Sequence, residues 1–160
     1  MCVAIPDLGY IQTSTGFVAY AQLCKNADEY FTAQEEAAAQ HITGSMFAKT
    51  VVVKTQDDFV LLVLPATYRA DLDLVSDMLG EEVELAQERE LKELFPGCEL
   101  GAEPPFGSHY GLRTLVDEHL AQQQRIAVRA GNHKEVIILA YEDFARIEKP
   151  RVVRLARAEA

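Results

Sequence analysis

Three short stretches of this 160-residue sequence hold the residue types that could do chemistry. The first is Phe47-Ala48-Lys49-Thr50-Val51-Val52-Val53. If residues 47–54 form a strand, alternation puts Lys49 on one face with Phe47, Val51 and Val53, and Ala48, Thr50, Val52 and Lys54 on the other. A lysine among apolar neighbours loses water, so its ammonium must find an anion or a carbonyl, or give up its proton. The plainer reading, and on pattern alone the commoner one, is a stem lying on the core while the ammonium reaches solvent. The second stretch is Gly101-Ala102-Glu103-Pro104-Pro105-Phe106-Gly107. Glycines admit unusual φ and close approach, and paired prolines stiffen the loop, so its backbone N–H and C=O groups could hold a small polar ligand. An ordinary connection between elements has the same composition. The third stretch, Ala130-Gly131-Asn132-His133, is by itself a turn between strands.

Other catalytic schemes find no support. His41, His109, His119 and His133 show no H-x-x-x-H spacing and none neighbours a cysteine, so no metal site is expected. There is no G-x-S-x-G elbow, no phosphate-binding G-x-x-x-x-G-K-S/T loop and no G-x-G-x-x-G. Cys2, Cys24 and Cys98 are scattered and read as free thiols of a reducing compartment, with cytoplasm the default. The N-terminus lacks a basic leader region, and the longest apolar run, Val60 to Leu64, is far short of the ~20 residues a membrane span needs. Asp117, before Glu118-His119-Leu120, reads as a helix cap or a site residue, with the cap favoured.

The net charge of −10 is unevenly placed. Residues 71–103 carry eleven acids (Asp71, Asp73, Asp77, Glu81, Glu82, Glu84, Glu88, Glu90, Glu93, Glu99 and Glu103) against Arg89 and Lys92. They alternate with core positions and read as a solvated face. Lys149, Arg151, Arg154 and Arg157 against Glu159 make the C-terminus basic. Nonspecific binding to DNA or another polyanion is thereby disfavoured, while a local phosphate site stays open.

The elements that must position these residues follow from pattern. Residues 5–16 read as a short helix ending at Gly16, and Phe17 to Leu23 as a strand. Thr32 and Glu35 have capping-box spacing before a helix over about 33–41. Phe47 to Thr55 and Phe59 to Leu64 form a hairpin around Gln56-Asp57-Asp58, the second strand apolar on both faces and so central. Asp71 caps a helix carrying Leu72, Val75, Met78 and Leu79 and stopping at Gly80. Glu82 to Ala86 is a short strand, and 87–95 a helix. Strands follow at 113–116, 125–129 and 134–140, then a helix over 141–147. One α+β domain over 1–148 results, followed by a basic C-terminal tail, 149–160, that is expected to be partly disordered.

In order and spacing, these strings resemble the YbaK/prolyl-tRNA synthetase editing-domain family. The strings are Phe47 to Val53, Val63-Leu64-Pro65-Ala66, Gly101 to Gly107, Leu115-Val116-Asp117-Glu118-His119-Leu120 and Ala130 to His133. Gly44 and the Thr32-Ala33-Gln34-Glu35 stretch also match, so the resemblance covers about residues 30–148. It implies a mixed, partly barrel-like sheet of about six or seven strands surrounded by helices. It implies hydrolysis, without metal or organic cofactor, of the ester joining an amino acid to the 3′-terminal adenosine of tRNA. Lys49 matches the family's functional lysine. Gly101, Ala102, Glu103, Pro104 and Pro105 match its substrate-binding G-x-x-x-P loop, and Gly131 and His133 join that binding set. The expectation is a freestanding trans-editing deacylase for a small amino acid (Ala, Ser, Thr or Cys), partnered by the acceptor end of mischarged tRNA. An aminoacyl-tRNA synthetase is a second candidate partner. A noncatalytic binder of the tRNA end or of a small ligand is the competing reading; a Schiff-base hydrolase using Lys49 has no further support.

Overall fold

The computed structural model describes residues 10–13, 16–19, 29–32, 43–129, 131 and 135–159. The hairpin read from sequence is there: β4 (Ala48–Lys54) pairs antiparallel with β5 (Phe59–Pro65), with Lys49 opposite Leu64. Thr55 and Asp58 close its turn through three mutual hydrogen bonds of 2.8–3.1 Å. β5 then lies parallel to β8 (Arg113–Asp117), and β8 parallel to β11 (Arg151–Val153), while β7 (Glu84–Leu85) pairs with the far end of β4. A second sheet sets β10 (Glu135–Ala140) between β3 (Glu29–Thr32) and β9 (Arg125–Arg129). A parallel bridge from Phe47 to Ala127 joins the two sheets, so strands β11-β8-β5-β4-β9-β10-β3 follow one another without closing.

β5 is central, as its two apolar faces require. Leu61 and Val63 pack with Phe106, Val116, Leu120, Ile126 and Phe144 on one side. Val60, Leu62 and Leu64 pack with Val75, Leu115, Leu155 and Ala156 on the other. The second face is covered by α1 (Leu72–Leu79), which begins at Asp71 and ends at Gly80, left-handed at φ 75°. Asp71 caps it by accepting from the Asp73 and Leu74 N–H groups. α2 (Glu88–Leu94), a 3-10 turn (Gly107–Tyr110), α3 (Glu118–Ala121) and α4 (Tyr141–Glu148) complete the mixed α+β fold.

Two expectations are corrected. The described part of the expected 5–16 helix is strand: β1 (Tyr10–Thr13) pairs antiparallel with β2 (Gly16–Ala19), Thr13 opposite Gly16. The β-prone Tyr10, Ile11 and Thr13 outweigh a helical pattern that lacked good formers. The C-terminal segment is not loose, because β11 and β12 (Ala156–Ala158) dock it, β12 pairing with β6 (Tyr68–Ala70). Burial of Leu155 and Ala156 against α1 outweighs the basic composition read as a tail. The expected helix over 33–41 lies outside the described residues.

Candidate active site

Lys49 stands at the start of β4, on the face shared with Val51 and Val53, its side chain 34% exposed. Among the described residues its ammonium has two partners, both long: the Ala66 carbonyl oxygen at 3.5 Å and a Glu159 carboxylate oxygen at 3.7 Å. The turn carrying Ala66 is fixed from two sides. The Ala66 N–H donates to the Phe47 carbonyl at 2.7 Å. Gly44 lets Thr67 approach so closely that a Cβ there would meet Thr67 Cγ2 at 2.4 Å. Glu159 is brought in by β12, with its N–H donating to the Thr67 carbonyl at 3.2 Å. The same segment is pinned by Arg157, which ion-pairs with Asp71 and holds that carboxyl below its usual range despite burial. An open cleft of about 800 Å³ adjoins it, lined by Arg69, Asp71, Asp73, Leu85, Arg157 and Glu159 among others.

Across the sheet, Lys49 pairs with Leu64, and Val63 before it pairs with Val116, so Asp117 follows at the end of β8. Asp117 is fully buried and its two oxygens meet four nitrogens. Oδ1 accepts from the Leu155 and Ala156 N–H groups, both at 3.1 Å. Oδ2 accepts from the His119 N–H at 3.0 Å and meets the His119 ring Nδ1 at 2.8 Å. The His119 ring packs on Tyr68, centroids 4.6 Å apart. The cap expected of Asp117 is present, and the ring contact is additional.

On the other flank of β4, the Phe47–Ala127 bridge runs β9 past Lys49, and the Arg129 guanidinium lies 4.9 Å from the centre of the Phe47 ring. Beyond it, the second and third stretches are stitched together by backbone. Gly131 N–H donates to the Ala102 carbonyl at 3.0 Å, and Glu99 N–H donates to the Gly131 carbonyl at 2.9 Å. Gly101 and Gly131 both take positive φ, 84° and 91°, which this crossing demands. Glu103, buried although it belongs to the acidic stretch, accepts from the Gly101 N–H at 3.2 Å. Ala102, Glu103, Pro104 and Pro105 are buried and Gly101 exposed. Among the described residues no hydrogen bond or ion pair joins Lys49 to this loop, and His133 lies outside them. Sequence reasoning passed over Glu159, hidden in an apparent tail, and the ring of His119, which the D-x-H spacing could have flagged. Among the described residues no three His, Cys, Asp or Glu side chains group as metal ligands would.

The fold and this set of strands and loops define an editing-type domain. The family described as "Aminoacyl-tRNA editing domain" matches residues 27–147. The chain is 36% identical over 116 residues to the Multifunctional Ser/Thr-tRNA deacylase ProXp-y of Escherichia coli strain K12, covering 69% of each chain. Among solved structures, one described as a candidate trans-editing enzyme for prolyl-tRNA synthetase superposes with a TM-score of 0.69 at 22% identity, covering 81% of this chain and 80% of that one. A scaffold used for epitope grafting gives 0.70 at 19% identity, over 81% and 83%; these two likenesses show the fold. The chain belongs to the aminoacyl-tRNA editing family and is an aminoacyl-tRNA deacylase, a hydrolase of aminoacyl esters. No described helix is long and apolar enough to cross a membrane.

Proposed function

We propose that the chain clears tRNA mischarged with a small amino acid, serine and threonine first, acting in trans on the acceptor end in the cytoplasm. The Ser/Thr-tRNA deacylase relative supports that substrate class. The observation that carries the reading is the loosely held ammonium of Lys49, between its β5 partner Leu64 and the flank along which Gly131 binds the Ala102 loop. An aminoacyl ester is already labile, so the site need only position water, carbonyl and ribose, and stabilise the oxyanion. Lys49 takes the terminal phosphate or the ester oxygen in exchange for its long contact to Glu159. Backbone groups of Gly101 to Pro105, with Gly131 and His133, grip the aminoacyl part. Contacts to tRNA are few, given a net charge of −10, and are helped by Arg151, Arg154 and Arg157; an aminoacyl-tRNA synthetase is a further partner.

Deacylation of tRNAs charged with Ala, Ser, Thr, Cys and Pro, beside the Lys49→Ala variant, tests this. Lysine-dependent hydrolysis of Ser-tRNA and Thr-tRNA upholds it; hydrolysis of neither by folded protein overturns the substrate class, and hydrolysis that survives Lys49→Ala overturns the role of the lysine.

A further inference from the structure

We propose that His119 is the general base and acid of the deacylation, oriented by Asp117. This inference rests on the reading of Lys49 as the substrate-holding group. The derivation starts at Asp117. Its carboxyl is fully buried yet meets three backbone N–H groups, from His119, Leu155 and Ala156. Oxygens that already take three N–H donors act as acceptors in this network. The His119 Nδ1 facing Oδ2 at 2.8 Å must therefore carry the hydrogen and donate it. In the neutral ring the lone pair then falls on Nε2. The side chain is 37% exposed and Nε2 has no protein partner among the described residues. Tyr68 against the ring fixes its plane. A buried carboxylate setting tautomer and orientation while the outer nitrogen stays free is the arrangement a catalytic imidazole needs.

Place supports chemistry. Lys49 pairs with Leu64 on β5, and Asp117 ends β8, the next strand, so the carboxylate that orients the ring lies two strand spacings, roughly 10 Å, from the lysine strand. That separation is within the span of a terminal aminoacyl-adenosine. The segment from Arg154 to Glu159 connects the two: its N–H groups bind Asp117, its Ala158 pairs with Tyr68, and its Glu159 meets Lys49. The titratable and charged groups on the surrounding elements are Arg113 and Asp117 on β8, Glu118 on the same helix, Tyr68 and Arg69 on β6, and Arg151 and Arg154 on and after β11; β5 carries none.

In the step, water oxygen attacks the ester carbonyl carbon as Nε2 takes one water proton. The tetrahedral oxyanion collapses, the bond from the acyl carbon to the ribose oxygen breaks with its electron pair on oxygen, and Nε2–H returns the proton there. Free amino acid and a tRNA ribose hydroxyl result, and the ring is neutral again.

The test measures kcat and KM for Ser-tRNA and Thr-tRNA from pH 5 to 8.5 with wild type, His119→Gln, His119→Ala and Lys49→Ala, each with its thermal midpoint. His119→Gln and His119→Ala are expected to lower kcat about 100-fold or more with KM little changed. A folded His119→Gln enzyme with wild-type kcat, or one that loses through KM rather than kcat, overturns the role of His119 while leaving that of Lys49 intact. Loss of thermal stability together with activity in both His119 variants would mark the ring as structural and also overturn it. If wild type hydrolyses neither ester, the deacylase reading fails and this proposal falls with it.

Discussion

Lys49 and Glu148 are both ionisable groups drawn partly out of water, and they are fixed in opposite ways. Glu148 ends α4 and is buried, with its oxygens taking the Ser108 N–H at 2.8 Å, the Ser108 hydroxyl at 2.8 Å and the Thr114 hydroxyl at 2.6 Å. Lys49 has, among the described residues, only its contacts at 3.5 and 3.7 Å, and stays one-third exposed. Short bonds with every donor matched make a staple, here tying the 3-10 turn, β8 and α4 together. Long contacts that a ligand can replace at little cost leave a cation available. The contrast separates what holds this fold from what is free to act.

The largest expected effect breaks the comparison at its active end. Lys49→Ala should lower deacylation of the preferred ester by at least about 100-fold, with unfolding free energy within about 1 kcal/mol of wild type. A folded variant of wild-type rate would remove Lys49 from the mechanism.

At the structural end, Glu148→Ala should cost about 2–4 kcal/mol by stranding three donors, and should leave the kcat of whatever protein remains folded nearly unchanged. Glu148→Gln sharpens this. Burial pushes the Glu148 carboxyl up, more than its Thr114 and Ser108 hydrogen bonds pull it down. The folded state therefore keeps this proton after the unfolded chain has lost it at the ordinary value of 4.5. By linkage its contribution to stability is greatest below that value and declines as pH rises through the raised one. Urea titrations at several pH values should show the stability of Glu148→Gln gaining on wild type as pH rises. A constant difference would mean that burial does not disfavour the carboxylate.

Asp71 tests the opposite sign at the segment that closes over Lys49. The Arg157 hydrogen bond, chief cause of its lowered carboxyl, outweighs burial. Its contribution is full above the ordinary value of 3.8 and is lost as pH falls through the lowered one. Asp71→Ala removes both the α1 cap and the anchor of β12, and should cost about 1–2 kcal/mol near neutral pH and less in acid. Arg157→Ala, on a side chain 70% exposed, should cost under about 1 kcal/mol. Equal losses for the two variants would show that the ion pair, not the cap, is what Asp71 supplies.

Legibility in the sequence followed how local each signal was. The β4–β5 hairpin, the caps at Asp71 and Gly80 and the central character of β5 were readable because a few neighbouring residues decide them. Lys49, Gly101 to Pro105 and Gly131 were readable as candidates from type and order. That Gly131 and Ala102 bond to each other follows only from chain crossing, which no local pattern encodes. β11 and β12 were hidden because Arg151, Arg154 and Arg157 look like a solvated tail, while the burial of Leu155 is a tertiary fact. The Glu148 staple links residues 34 and 40 positions apart and leaves no periodic trace.

The smallest expected effect concerns a polar group at the other end of the helix that carries Glu148. The Tyr141 hydroxyl is buried with no hydrogen-bond partner among the described residues, and burial raises its pKa. An unpaired buried hydroxyl forgoes its bond to water with no return, whereas its ring still packs against Phe144 at 5.9 Å. Tyr141→Phe removes the oxygen and keeps the ring, so stability should be equal to wild type or higher by up to about 1 kcal/mol, with deacylation unchanged. Loss of more than about 1 kcal/mol would mean that the hydroxyl is bonded after all. Both ends of α4 would then be held by polar staples, and Glu148 would not be the helix's single polar anchor.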